Sequence, residues 1–540
     1  MQRLSSLLAA ALLAASIAAS TTAASAAAAA SAAAAAASAA GAAGPNGTIT
    51  VLEASYGVNC NASLAGALTA EVAAFCDGSA ACDFSVCICG WDTCPPAPAC
   101  IADPASACAK DLRVTWRCTA AAPAANRSLD LPAEADRRVA ALTCGPPPPP
   151  VTPRDITVAA FVYDPWSPAP GVFSSHGPNW TEWELVRRAE PRFPGHLQPK
   201  VPLWGELDTS LPATWDLLNG AALAAGVEVY LWDWYWWPDA PSNPILFGGL
   251  EKGFLKAPSS SRMHWAVMWA NQDWKDLMPA KRLVEQPVMY HGATNATVFE
   301  QLSNYWIANY FGLANYLQRP VSANETACPL VSIYEIDVLV TALGGLDLAA
   351  AAFAAFRARA AAAGHPCVHM QVMGFGARNL KAPIGPTLQT LGVNSVTDYC
   401  PQHYQGMEGF PLVDYASFSS GYIARYGELA SQVAPVSYLP TFGIAWDPSP
   451  RTVQSDFFDP WGYPATPVLQ PTLTEFATAI AASADAVASS CVGLPSWQPC
   501  TMTVYAYTEF SEGGSLWPTV VDGFGRLNAF TATFGNRSAQ

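Results

Sequence analysis

Near the C-terminal end the chain reads Thr508-Glu509-Phe510-Ser511-Glu512-Gly513-Gly514, two glutamates three residues apart followed at once by two glycines. In an extended strand residues i and i+3 point to opposite sides, so a bend is needed to bring both carboxyls into one mouth, and Gly-Gly permits one. A pair of this kind suits glycosidic bond cleavage. One carboxyl stays protonated and donates to the leaving oxygen, while the other is ionised and acts as base or nucleophile. Packing against Trp and Phe would raise one pKa and leave the other low, which divides the roles. Two solvated loop glutamates would show the same spacing. Rival chemistries find less support: there are seven His and no HExxH, and no GxSxG elbow appears. Carboxylate-bound calcium stays open, and no cofactor is expected.

The elements that must position such a pair are legible as apolar runs. Strand-like segments lie at 156–162, 227–232, 263–269, 330–336, 369–375, 395–398, 436–444 and 501–507, with helical stretches such as 214–225, 297–317, 348–363 and 473–488 between them. Eight strands alternating with helices imply the α/β class, most economically a (β/α)8 barrel. An open doubly wound sheet ranks second, because Tyr163-Asp164-Pro165-Trp166-Ser167-Pro168 after the first strand is no Gly-rich phosphate turn. In a barrel, chemistry gathers where strands end. Those ends carry Asp233 followed by Trp234, Tyr235, Trp236 and Trp237; Trp269-Ala270-Asn271; Glu335 with Asp337 close behind; and Trp446-Asp447-Pro448-Ser449-Pro450-Arg451. With Glu509 and Glu512 as the catalytic pair, the expected glycan-binding residues are Trp180, Glu182, Trp183, Asp233, Tyr235, Trp236, Trp269, Asn271, Glu335, Trp446 and Asp447. Packing of these tryptophans in the core is the competing reading.

The chain has 540 residues, 51% of them hydrophobic and 13% charged, with 27 Lys+Arg against 42 Asp+Glu. That acidic balance repels phosphate backbones, so no nucleic-acid partner is expected. The start reads as a signal peptide over 1–24, followed by an Ala-rich spacer at 25–47. No integral membrane segment is expected after signal cleavage, and the protein is placed outside the cell or in the secretory lumen. Asn-x-Ser/Thr sequons at Asn46, Asn61, Asn126, Asn179, Asn295, Asn324 and Asn536 agree with export. So do the 15 Cys, which crowd between Cys60 and Cys118 and read as a disulfide framework over 48–119; the odd total leaves at least one thiol unpaired in a monomer. Zinc is disfavoured there, for want of a CxxC pair or a nearby His. The stretch 120–153, rich in Ala and Pro and ending near Pro146–Pro150, reads as a linker to a barrel over 154–535.

Motifs in chain order then resemble the family-99-like glycoside hydrolases, relatives of endo-α-mannosidases. Gly177-Pro178-Asn179-Trp180-Thr181-Glu182-Trp183 resembles G-F-T-E-W, and Phe193-Pro194-Gly195-His196-Leu197-Gln198-Pro199 resembles F-x-G-H-x-Q-P. Trp234-Tyr235-Trp236-Trp237 resembles the family's Y-W-F run, Trp269-Ala270-Asn271 its W-A-N-E, Trp446 to Arg451 its W-D-N-T-P-R, and Thr508 to Gly513 its N-E-W-x-E-G. The resemblance implies a (β/α)8 barrel that cleaves α-linked mannose-type or related glycans with retention. In it Glu509 would assist the substrate's own 2-hydroxyl as internal nucleophile, and Glu512 would be the general acid/base. Gln272 stands where the family has a glutamate, and Thr508 and Phe510 replace its Asn and Trp. In the smaller domain, Glu53 to Gly57, Cys76 to Cys82 and Lys110 to Cys118 resemble galactose/rhamnose-binding lectin modules of the sea-urchin-egg type. Val58 departs from that pattern, as does Gly90-Trp91-Asp92-Thr93-Cys94. The expectation is thus a secreted glycoside hydrolase-like barrel with a small disulfide-rich, lectin-like N-terminal domain. A non-catalytic carbohydrate-binding extracellular or cell-wall protein is the alternative. Sugar transfer ranks behind both, since no nucleotide-sugar motif is present.

Overall fold

The computed structural model describes residues 47–535 apart from 80, 89–98, 102–103, 105–107, 109, 120–125, 132–138, 145–151, 170–175, 241–242, 293, 404, 493 and 496. The expected signal peptide, nearly all of the spacer and the segment Gly90 to Cys94 lie outside these residues. The chain divides into two units between 149 and 150.

In the N-terminal unit, Ile49–Tyr56 pairs antiparallel with Leu112–Cys118, burying Ile49, Val51, Ala54, Val114 and Trp116 on one face. Disulfides join Cys60 to Cys108, Cys76 to Cys82 and Cys118 to Cys144. The unit runs past its expected end at 119. Asn126–Leu131 continues the first sheet beside Leu112–Cys118, and Val139–Thr143 pairs with Ala81–Ile88. Part of the expected linker is therefore strand: ladder hydrogen bonds and the Cys118–Cys144 bridge outweigh its Ala/Pro-rich composition.

The second unit is a nearly closed parallel barrel. Its strands are β1 (Thr157–Val162), β2 (Val227–Trp234), β3 (His264–Trp269), β4 (Cys328–Ile333), β5 (His369–Met373), β6 (Ser395–Thr397), β7 (Ser437–Leu439 and Thr441–Gly443) and β8 (Thr501–Tyr505). Each pairs with its chain neighbour, and β8 pairs with β1. Closure runs through β7. Its first half pairs with β6 and its second with β8, and Pro440, which has no N–H to donate, stands at the change of partner. Each half is hydrogen-bonded on one side only, so the sheet is nearly closed, joined across that point by the chain itself. Both faces of each strand are covered, so the sequences are nearly continuous apolar runs such as Val158 to Val162 and Tyr230 to Trp234. Inside the barrel the hydroxyls of Thr397, Thr441 and Thr503 bond one another at 2.6–3.2 Å.

The expected helices appear as Pro212–Ala224, Ala296–Asn309, Leu346–Ala362 and Leu473–Ser490. Asn295 caps the second through Val298 N, and Thr472 with Glu475 forms a capping box on the last. The second stops at Asn309 rather than 317. Beyond it Gly312 weakens helix, and the Asn315 side chain turns to the carbonyls of Ser260 and Met263. Disulfides Cys328–Cys367 and Cys491–Cys500 tie segments that enter β4, β5 and β8. Among the described residues no single helix is long and apolar enough to cross a membrane.

Candidate active site

The two glutamates follow the end of β8. Thr508–Glu509 pairs antiparallel with Gly514–Ser515, and Phe510–Glu512 makes one 3-10 turn between them. Glycine is required at the bend. Gly513 has φ 77°, and a Cβ there would lie 2.8 Å from Lys200 Nζ and 3.2 Å from the Asp447 amide nitrogen. At Gly514 a Cβ would lie 2.5 Å from the Tyr505 ring. The tight turn faces both carboxyls into one cavity of about 470 Å³ at the C-terminal ends of the strands, walled by Tyr163, Tyr235, Trp274, Tyr334, Tyr399, Trp446 and Tyr463.

Arg451 links the acids. One guanidinium nitrogen donates to Glu512 Oε1, and the other lies 3.3 Å from Glu509 Oε2 and 3.2 Å from Glu182 Oε2. Glu512 also accepts from Tyr463 and Tyr505, so three donors meet its carboxyl. Glu509 shares the Tyr399 hydroxyl, 3.0 Å from its Oε1, with Asp233, whose Oδ2 is 2.6 Å away. A hydroxyl has one proton to give, so a second proton on either carboxyl completes both contacts. Burial, and then the charge of Glu512, push the Glu509 carboxyl well above the usual range against the opposing pull of Arg451. Burial likewise raises Asp233, whose Oδ1 has no partner among the described residues. The mouth thus holds one carboxyl met by three donors and two carboxyls that burial disposes to keep protons.

Only part of the expected set meets at this cavity. Asp233, Tyr235 and Trp446 line it together with Glu509 and Glu512. Glu182 and Asp447 stand behind it as buried braces. Glu182 accepts from Tyr163, Ser511 and Arg451, which fixes Arg451 from its far side. Asp447 accepts from His196 (3.0 Å), Gln198 (2.6 Å) and Lys200 (2.7 Å), and its amide donates to the Glu512 carbonyl (2.6 Å). Burial alone would raise the Asp447 carboxyl, but Lys200 and His196 hold it far below the usual range. Asn271 is fully buried and clamps the Glu335 backbone by two hydrogen bonds; Glu335 itself is off the cavity wall, pushed up to about 7 by burial and by Asp337 and Asp273. Trp183 packs on Trp166, Phe510 and Trp517, and Trp269 packs on Phe299 and Trp306, so neither reaches the cavity. Trp236 stacks on Trp234, and Trp180 on His176, also away from it. These four were expected to bind sugar; the faces of Trp183 and Trp269 are taken up by packing, while Trp180 and Trp236 are half-buried outside the cavity wall.

Tyr399, Tyr463 and Tyr505 carry no sequence signal that picks them out, and Arg451 and Trp274 stand in the sequence only as the last residues of strand-end runs beginning at Trp446 and Trp269. Arg451 ends a motif read from the sequence, yet only folding shows that it meets three glutamates, and single tyrosines on strand ends carry no spacing signal. Cys400, the one free cysteine among the described residues, is also on the wall, with its Sγ 3.4 Å from His403 Nε2. Among the described residues no three His, Cys, Asp or Glu side chains gather as metal ligands.

Fold and site together define a (β/α)8 barrel with an arginine-bridged acid pair at the end of its last strand. The family model described as Glycosyltransferase WbsX matches residues 161–373, which run from the end of β1 through β5 and hold Tyr163, Glu182 and Asp233 but stop short of Arg451, Glu509 and Glu512. No curated protein matches the chain. Among solved structures it is similar to the family-99 glycoside hydrolase endo-alpha-mannosidase from Bacteroides thetaiotaomicron, at 13% identity and TM-score 0.41 over 70% of this chain and 95% of that one. A structure titled glycoside hydrolase-like protein is 14% identical, with TM-score 0.45 over 72% of this chain and 97% of that one. The beta-glucosidase from Thermotoga maritima is 11% identical, with TM-score 0.35 over 72% and 99%.

Proposed function

We propose that the barrel is a secreted glycoside hydrolase cleaving α-linked mannose-type or related glycans with retention, and that the N-terminal unit is a carbohydrate-binding module. The observation that carries this reading is the pair Glu509 and Glu512 sharing the Arg451 guanidinium inside an aromatic-walled cavity. Sharing one guanidinium keeps the carboxyls close enough to act on one glycosidic bond, one on the leaving oxygen and one on the 2-hydroxyl. Tyr and Trp faces with a few convergent polar groups suit a sugar ring. Disulfides in both units favour an oxidising compartment.

The resemblance assigns the 2-hydroxyl to Glu509 and proton donation to Glu512. The resting hydrogen bonds favour the reverse. Glu509, buried beside an anion, enters the cycle protonated and gives its proton to the leaving glycosidic oxygen. Glu512 accepts the proton of the neighbouring 2-hydroxyl, whose oxygen displaces the leaving group from the anomeric carbon; in an α-mannoside that oxygen is trans to the bond that breaks. Water then opens the three-membered ring, passing a proton to Glu509 while Glu512 returns one to O2. Two displacements at one carbon give retention.

The test is Glu509→Gln and Glu512→Gln on an α-mannan-like glycan. Each should lower product release by roughly 10²–10⁴-fold with the fold intact. An aryl α-mannoside with a good leaving group needs no acid, so it should restore turnover in the Glu509 variant alone. Rescue of the Glu512 variant instead would return the roles to those of the resemblance, and unchanged activity in either variant would remove that residue from the mechanism. Gln272, whose buried Oε1 faces no partner at the cavity wall, favours a second reading, binding without turnover. Equal glycan binding by wild type and the double Gln variant, with no cleavage by either, would establish it. The description of the matching family model names glycosyl transfer, in which an acceptor hydroxyl replaces water; products lengthened by a sugar would show that outcome.

A further inference from the structure

A second cavity, of about 330 Å³, lies at the other end of the barrel, among the segments that lead into β4, β5, β6, β7 and β8. That face of a barrel ordinarily serves stability. Here it holds a charge that stability does not ask for. Arg319, on the short strand Gln318–Arg319 that pairs antiparallel with the start of β4, is only 8% exposed and lines the cavity. Among the described residues its guanidinium has no hydrogen bond and no ion pair; the nearest opposing influence is the longer-range attraction of Glu228. Burial lowers its pKa only to about 10, so it remains a cation at neutral pH. Among the described residues no acidic side chain lines the cavity.

The neighbours do not compete for this charge. His369 places Nδ1 3.0 Å from the Pro320 carbonyl and Nε2 2.8 Å from the Ser395 hydroxyl, so Nδ1 carries its proton. Burial, with Arg319 a lesser cause, keeps His369 neutral down to about 4. Asn394 accepts the Met370 amide through Oδ1, which leaves its Nδ2 protons to donate elsewhere. Trp497 and Pro435 add flat apolar wall. A desolvated guanidinium without a carboxylate is costly to keep, and a fork of N–H donors is shaped for a planar or tetrahedral oxyanion.

We propose that this cavity binds a small oxyanion-bearing ligand about the size of one sugar ring, its carboxylate or phosphate gripped by Arg319 with Asn394 as a second donor. The site is independent of the acid pair at the opposite end. Calorimetry and thermal unfolding of the full chain with glucuronate, glucose 6-phosphate, glucose and inorganic phosphate test it. At least one of the two acidic sugars should bind one-to-one and raise Tm by about 2 °C at tenfold excess over its Kd, and glucose should do neither. Binding of glucuronate alone identifies a carboxylate site, and of glucose 6-phosphate alone a phosphate site; inorganic phosphate that binds as well as either sugar would show that no sugar-sized body is needed and would overturn the size claim. Arg319→Met should weaken binding roughly ten- to hundredfold while leaving glycan cleavage unchanged and Tm without ligand equal or higher. Arg319→Lys keeps the charge but loses the fork, and should weaken binding less, which keeps the test open if the Met variant folds poorly. Binding that survives both substitutions, or no binding by any charged probe, overturns the proposal.

Discussion

Replacing Arg451 by methionine should make the stability of the barrel fall more steeply with rising pH than that of wild type. The guanidinium touches Glu182, Glu509 and Glu512, and all four side chains are buried. Methionine fills much of the same length but carries no charge. Removing one partner of a buried ion pair costs about 3–5 kcal/mol, because the charge left behind is uncompensated. The loss is not the same at every pH. Burial and Glu512 already raise Glu509 in wild type against the pull of Arg451, so without the guanidinium the folded protein holds its protons more tightly still. A carboxyl whose folded pKa is raised contributes fully below its unfolded value, about 4.3, and that contribution drains away as pH rises through the folded value. The variant should therefore lie close to wild type near pH 4.5 and fall about 3–5 kcal/mol below it near pH 8. Denaturant unfolding followed by Trp fluorescence at the two pH values measures the difference, with Trp446 and Trp274 in the cavity wall as reporters. A loss of the same size at both would mean that packing of the side chain, not its charge, is what the variant removes, and the account of the acid pair given above would fail with it.

Asp164, fully buried just past β1, has neither carboxyl oxygen in hydrogen-bond geometry with any described donor, although the Thr209 hydroxyl and Gly249 amide stand near. Burial raises its pKa from 3.8 to about 7. Stability should then fall by about 4 kcal/mol between pH 4 and 7 through this one group and level off above; Asp164→Asn should remove that slope and be the more stable protein at pH 8, and identical pH profiles for the two would refute the assignment. Gly513→Ala places a Cβ against Lys200 and Asp447 at positive φ. It should cost about 1–3 kcal/mol and, by moving Glu512, lower kcat more than it lowers Tm; activity kept at the wild-type level would show that the bend tolerates a side chain.

Much of the barrel could be read from the chain. All eight strands fall where continuous apolar runs predict them, because a parallel strand buried on both faces has no polar side to hide the signal. The acid pair was visible for a different reason: two glutamates followed by Gly-Gly join a chemical requirement to a backbone one in seven residues. The end of the N-terminal unit was misplaced, since strands 126–131 and 139–143 gain their stability from partners distant in sequence and from a disulfide.

What the chain alone determined, then, is local: strand periodicity, helix caps such as Thr472 with Glu475, and the glycines that permit the bend. What only the tertiary structure decided is which faces meet. Trp183 and Trp269 have the same composition signal as Trp446, yet the first two are consumed by the core and the third walls the cavity. Arg451 becomes the hinge of the site only when three separate places in the chain bring Glu182, Arg451 and the Glu509–Glu512 turn together, and Arg319 becomes a buried unpaired cation only when the base of the barrel closes over it. Burial and charge pairing depend on neighbours far apart in sequence, and no short window of residues contains them.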